Sequence, residues 1–213
     1  MKATTLALLF ASALPLASHA GPRSEMGLEM HRARAEIRSE LAQERMRLET
    51  ENLSLDNDIQ FGKHKRNARR DTEHGPKAEI TPAGDLLVDG KAVPVDAVQR
   101  RQLLDYRTQV IGIAKTGMAA GEKAAMLALD ATDVSMFQLI VGGLTGSLER
   151  RVESTVQREL RPAMLQICAS LPRLQQSQQA LAATVTAFRP YATLRDDDIA
   201  TCEADVRRDL ASR

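Results

Sequence analysis

The stretch AEITPAGDLLVDGKAVPVDAVQRRQLLDYR, residues 78 to 107, constrains this chain more than any other, because it writes two tight turns and a helix start into thirty residues. Pro82 stands at the first corner of a turn and Gly84 where a positive φ costs little. Asp89-Gly90 is a two-residue hairpin signal between LLV and KAV. The expected strands are short, at about 78 to 81, 85 to 89 and 91 to 95, with Pro94 at an edge or end. Asp96 then opens a helix, and Gln99 stands three residues on in capping-box spacing. Upstream, NLSLDNDIQFG (52 to 62) alternates Leu53, Leu55, Ile59 and Phe61 with polar residues. It reads as a fourth strand, bulged at Asp56 to Asp58, whose partner is Lys77 to Thr81. The reading is a small antiparallel meander of three to four strands.

The rest of the chain is helical in pattern. Alanine, leucine, arginine, glutamine and glutamate dominate, which favours helix. Residues 24 to 49 place Met26, Met30, Ala33, Ile37, Leu41 and Leu48 at three- and four-residue steps. Arg32–Glu36, Arg45–Glu49 and Arg47–Glu51 stand as i,i+4 pairs beside them. A stripe this thin leaves two options, a helix that caps the core or an arm that projects toward partners. After Asp96, the residues Leu103, Tyr106, Val110, Ala114, Gly117, Gly121, Ala124 and Ala128 fall on one face that changes from large to small, so close helix packing or a break is expected around GMAAG (117 to 121). From Leu148 a heptad-like pattern runs through Val152, Val156, Leu160, Met164, Ile167, Leu171, Leu174, Leu181, Val185 and Phe188, with Gln178 filling one position. Pro162 and Pro172 are expected to kink or divide it near Arg161 and Leu171, and Pro190 to stop it. The pattern fits an internal hairpin or a dimer equally well. Asp196 to Asp198 then charge the first turn of a short last helix. The fold class is α+β and predominantly α.

The first twenty residues carry one lysine, an apolar run from Leu6 to Leu16 and small residues at Ser18 and Ala20, the pattern of a secretory leader cleaved after Ala20. No cysteine follows that position, so no lipid anchor is expected there. The longest later uncharged stretch, Val134 to Leu148, falls short of the roughly 20 apolar residues of a spanning helix. The expected location is the periplasm, with no transmembrane span. In that oxidising compartment Cys168 and Cys202, the two cysteines of the chain, are expected to pair. A disulfide closing such a loop contributes about 3 to 4 kcal/mol in the chain-entropy model. The expected organisation is a leader at 1–20, a charged helix or arm at 21–50, a sheet at 51–95 with a basic loop at 63–74, and a helical domain at 96–213, the last two forming one folded unit.

The segments ITPAGDLLVDGK, QRRQLLDYR and FRPY, the last lying between the two cysteines, resemble the YggN-like family of uncharacterised periplasmic proteins of Gram-negative bacteria. The likeness covers roughly residues 50 to 202, without the KHKRNARR loop. It implies an envelope location, a hairpin-plus-helices build and a disulfide. It implies no activity, since the family has no assigned one.

Chemistry is sparse. Lys+Arg and Asp+Glu number 29 and 28, and loss of Lys2 with the leader balances them, so no global field favours nucleic acid. Beyond the leader the histidines are His31, His64 and His74, and no nucleophile elbow accompanies them. No catalytic residue, metal or cofactor is assigned, and the expectation is a protein that is not an enzyme. His64, Asp71, Glu73 and His74 match no zinc spacing and sit among cations. GGLTGS (142 to 147) has the glycines of a phosphate loop without its lysine. Paired carboxylates for a hydrolase of an envelope polymer would have to come from Asp85, Asp89 or Asp96, which read better as turn and cap residues.

The strongest functional candidate is the run KHKRNARR, whose Lys63, Lys65, Arg66, Arg69 and Arg70 put five positive charges into eight residues. Such a run either attracts an anionic envelope component or another envelope protein, or simply keeps a loop in water. No aromatic residue interleaves with it, which argues against single-stranded nucleic acid. The leading expectation is a binding module of the cell envelope. A periplasmic holdase, built on the Met-bearing arm (Met26, Met30, Met46), is the alternative.

Overall fold

A computed structural model describes residues 22–55, 76–132 and 147–211. Among these the chain is mostly helical, with helices α1 (Pro22–Thr50), α2 (Ala97–Thr132), α3 (Ser147–Thr184) and α4 (Asp196–Ala211), and a 3-10 turn at Thr186–Tyr191. Four strands complete it: β1 (Leu53–Ser54), β2 (Ala78–Ile80), β3 (Leu86–Val88) and β4 (Lys91–Ala92). They form one antiparallel sheet in the order β1-β2-β3-β4, with Leu53 opposite Ile80, Ile80 opposite Leu86, and Val88 opposite Lys91.

The turn chemistry explains the meander. Asp89 (φ 48°) and Gly90 (φ 74°) both take the left-handed conformation that a two-residue hairpin needs. At the other turn the Thr81 amide donates to the Asp85 carbonyl at 2.9 Å, and Gly84 has φ 83°. Gly84 also lies against α2: a Cβ there would come within 2.8 Å of Leu104 Cγ and 2.9 Å of Arg100 Cγ. Glycine is therefore required by both conformation and space. The ladder ends sooner than the pattern suggested. Val93 still donates to Leu86 at 2.8 Å, but Pro94 has no N–H to extend the pairing. The fourth strand is seen only at Leu53–Ser54; residues from Asp56 onward, including the expected bulge, lie outside the described residues.

Ala78, Ile80 and Leu86 point inward from the sheet and meet Leu103, Tyr106, Val110 and Ile113 of α2. Leu174 and Leu181 of α3, Val185 and Phe188 close the core from the other side. Phe188 has no exposed surface and packs its edge on Tyr106, centroids 5.4 Å apart at 81°. Asp96 caps α2 as expected. Its Oδ1 accepts from the Val98 and Gln99 amides at 2.7 and 2.8 Å, and Gln99 Oε1 accepts from the Asp96 amide at 2.9 Å.

Three expectations for the long helices need correction. Pro162 and Pro172 do not divide α3, which runs unbroken from Ser147 to Thr184. Both prolines are exposed, so their rings lie on the outer side of the helix, while buried Leu171 and Leu174 hold it on the core around Pro172. The helix also ends at Thr184 instead of at Pro190. Gln99 Nε2 donates to the Thr184 carbonyl at 2.8 Å and Arg189 Nε to the Ala182 carbonyl at 2.9 Å, so side chains satisfy its last turn. The small-residue face of α2 is not a close-packing seam, because Gly117 and Gly121 are exposed and a Cβ on either would meet nothing within 4 Å.

The heptad-like pattern resolves as an internal antiparallel hairpin of α2 and α3. Tyr106 accepts from Gln178 at 3.1 Å, Gln109 donates to Ser177 at 2.7 Å, and Lys123 pairs with Glu159. The expected disulfide is formed: Cys168 on α3 and Cys202 on α4 have Cα atoms 5.7 Å apart. Among the described residues no helix is long and apolar enough to cross a membrane.

Candidate interaction surface

The residues singled out in the sequence divide into three groups. Lys63, Lys65, Arg66, Arg69 and Arg70 lie outside the described residues, as do His64, Asp71, Glu73, His74 and the glycines 142 to 146. The two ends of the segment that carries the basic run are nevertheless held side by side. The Leu55 amide donates to the Ala78 carbonyl at 2.9 Å, and Tyr191 Oη donates to the Pro76 carbonyl. The run thus connects two neighbouring strands of one sheet.

Gly84, Asp89, Gly90 and Asp96 are structural. Besides forming the turn, Asp89 accepts the Lys77 amide on Oδ1 at 3.0 Å. Asp85, the remaining carboxylate considered for hydrolysis, is paired with Arg100 and accepts from Thr81 Oγ1 at 3.3 Å. Arg100 also donates to the Ala83 carbonyl at 3.3 Å, which clamps the first turn to α2. Asp85 thus joins sheet to helix, Asp89 closes the hairpin and Asp96 caps α2, and no two of them flank a shared cleft in these contacts. Among the described residues no group of three His, Cys, Asp or Glu side chains is placed to hold a metal. His31, the one histidine among them, is exposed on α1.

The third group is α1, which docks along α2. Contacts run antiparallel: Arg34 pairs with Asp130 at 2.6 Å, Arg45 with Glu122 at 2.8 Å, and Glu49 with Lys115. Arg38 reaches Glu122 at 4.0 Å. Two charges that read as an intrahelical pair in the sequence, Arg45 and Glu49, therefore cross to the neighbouring helix. Hydrogen bonding to Lys115, reinforced by its charge and by that of Arg107, holds the Glu49 carboxyl below its ordinary pKa. Glu159 is lowered in the same way by Lys123. Met30, Ile37, Leu41 and Leu48 are only half-covered, and Leu28 and Met46 keep 52% and 66% of their surface in solvent. A groove runs along α1 beside Glu40, Leu41, Gln43, Glu44 and Arg47.

The residue that fixes α1 is Arg107, which the sequence reading passed over. Its side chain is buried, and one terminal nitrogen donates toward the carbonyls of Leu48 (3.0 Å), Glu49 (2.9 Å) and Glu51 (2.7 Å). These are the acceptors a helix leaves unsatisfied at its C-terminus, where the macrodipole also favours a cation. The signal was present: Arg107 lies between Leu103 and Val110 on a face of α2 otherwise occupied by core residues.

Among the described residues the other buried polar side chains are glutamines of α3. Gln178 donates to Tyr106 Oη and, at 3.4 Å, to the Tyr191 carbonyl, and accepts from the Leu194 amide at 3.0 Å. Gln175 donates to Asp196 Oδ1 at 2.8 Å. They satisfy the backbone that returns from the 3-10 turn to α4. Burial raises the Tyr106 pKa, partly offset by the Gln178 hydrogen bond, so its phenol stays neutral and serves the fold.

Comparison with known proteins finds no matching family model, no matching curated protein and no matching solved structure.

Proposed function

We propose that this chain is a non-enzymatic interaction protein of the cell envelope, which holds a partner through the charged helix α1, the basic run at residues 63 to 70, or both. The observation that carries the reading is the state of α1: a long helix of balanced charge, tied to the fold by ion pairs and by Arg107, with its apolar stripe only half-covered. A helix kept for packing alone would bury that stripe. The basic run supports the same reading, since the segment that carries it leaves and rejoins the sheet at neighbouring strands and its cations suit an anionic envelope component or the acidic face of another envelope protein. Export to the periplasm is supported by the leader pattern of residues 1 to 20 and by a disulfide that persists in oxidising compartments. Kinship with the YggN-like family is part of the proposal, and it rests on ITPAGDLLVDGK, QRRQLLDYR and FRPY, which supply Ile80, Leu86, Leu103, Tyr106 and Phe188 to the core.

Crosslinking in intact cells, followed by mass spectrometry, tests the reading with the mature protein and a variant lacking residues 63 to 74. One dominant partner, lost with the loop, is the expected result. Many unfolded clients, retained without the loop, would instead favour a holdase. That second reading draws on the exposed Leu28, Met46 and Met164 of the helices.

A further inference from the structure

We propose that α1 is a strap: hinged at its C-terminal end by Arg107, closed along the rest of its length by solvent-contacting ion pairs and a half-covered apolar stripe, and opened by rising ionic strength while the core stays folded. The inference deepens the interaction reading above and rests on it for its purpose, because opening would uncover the apolar stripe of α1 and the face of α2 beneath it.

The argument starts from what holds each end. From its middle toward its N-terminal end α1 is joined to α2 by Arg38–Glu122 and Arg34–Asp130, with Arg45–Glu122 nearer the hinge; Arg38 and Asp130 keep 64% and 63% of their side chains in solvent, while Arg34, Glu122 and Arg45 are more covered. Pairs of this kind are screened, the screening length falling from about 10 Å at 0.1 M salt to about 3 Å at 1 M. The apolar contact beside them is thin: between Gly27 and Thr50 no described side chain is fully buried. The opposite face of the joint is equally thin. From Ala114 to Asp130, α2 has no buried side chain, and Gly117 and Gly121 make no close approach to a neighbour.

The C-terminal end is held differently. Arg107 is buried, and its partners are the carbonyls of Leu48 and Glu49 in the last turn of α1 and of Glu51 just past its end. Beyond Thr50 the chain enters β1, which is locked to β2 through Leu53 opposite Ile80. Salt screens the ion pairs, Glu49–Lys115 at this end included, but leaves the Arg107 and β1–β2 contacts in place. The result is a hinge near residues 50 to 52, with the swinging part of α1 reaching more than twenty residues toward its N-terminal end.

Two spin-labelled pairs test this in the full-length mature protein, in which the native cysteines are joined and do not compete for label. Glu36→Cys with Ala128→Cys reports the swinging part, and Met46→Cys with Ala119→Cys reports the hinge. The expected result is a single short distance for both pairs at low salt. At about 1 M salt, a second, longer population should appear for the first pair alone. Arg34→Glu, introduced with the first labels, should shift the population toward the open state at low salt, and adding Asp130→Arg should shift it back. A first pair that stays short at every salt concentration and in Arg34→Glu overturns the strap. Lengthening of both pairs together overturns the hinge. A strap that opens in vitro while no variant captures a partner in cells sinks the interaction reading and leaves the strap. Partner capture by a protein whose first pair never lengthens does the reverse.

Discussion

The two ends of the α2–α3 hairpin are built on different principles. At the sheet end, Leu103, Tyr106, Val110 and Ile113 of α2 face Leu174 and Leu181 of α3, with Phe188 filling the space between, and every one is buried. At the other end, where α1 joins, no described side chain of α1, of α2 beyond Ile113, or of α3 before Cys168 is buried, and the helices are linked by Arg34–Asp130, Arg45–Glu122 and Lys123–Glu159. Apolar burial scales with area and is not screened by salt, whereas exposed ion pairs are weak and screened. The difference assigns stability to one end and adjustability to the other.

The sharpest way to break that contrast is to truncate a side chain at each end. Phe188→Ala should cost about 3 to 5 kcal/mol, as large aromatic truncations in closed cores do. Met164→Ala, in the half-covered part of α3, should cost less than about 1 kcal/mol. Urea unfolding of both variants checks the pair, and equal costs would erase the distinction. Next in size is the disulfide, which fastens α4 to the well-packed part of α3. Replacing Cys168 and Cys202 together by Ser should lower stability by about 2 to 4 kcal/mol, read from the same curves. Thiol titration of the unreduced wild type should find none free.

Asp89→Ala with Gly90→Ala probes whether the hairpin braces the entry of α2. Both positions have positive φ, so a loss of about 1 to 3 kcal/mol is expected. An unchanged melting temperature would remove the bracing role. The smallest effect is that of acid. Glu49 and Glu159 are held below the ordinary carboxylate range of about 4.3 by hydrogen-bonded lysines. A depressed folded pKa adds stability above the unfolded value and loses it as pH falls through the folded one. Below about pH 4, therefore, the α1–α2 and α2–α3 pairs should loosen first, seen as faster amide exchange in the helices they join before any change in the core.

The same contrast explains what the sequence disclosed. At the packed end the fold was legible residue by residue: Asp89-Gly90 and Gly84 marked the turns, Asp96 and Gln99 the cap, and the spacing of Leu103, Tyr106 and Val110 the buried face, because each of these signals is local. Even Gln178, the polar exception in the α3 pattern, marked a place where buried backbone needed a donor and an acceptor. The ion-paired end was misread where a local rule met a tertiary competitor. Arg45 and Glu49 have ideal intrahelical spacing, yet each finds its partner on α2. Pro172 should break a helix standing alone, and it does not break one held by Leu171 and Leu174. The spacing of α2 put Arg107 on its buried face between Leu103 and Val110, but its role depends on where another helix ends, which no spacing within α2 encodes. The site assigned to the basic run rests on composition, and its residues lie outside the described part of the chain.

Native-state hydrogen exchange, followed amide by amide across a series of sub-denaturing urea concentrations, tests the central claim most directly. The account predicts that amides at 103 to 113 and 171 to 185 exchange only through global unfolding, with the full urea dependence. Those at 30 to 45, 116 to 130 and 158 to 166 should exchange through smaller openings that depend weakly on urea and strongly on salt. Uniform protection along α2, with a single urea dependence and no response to salt, would contradict it.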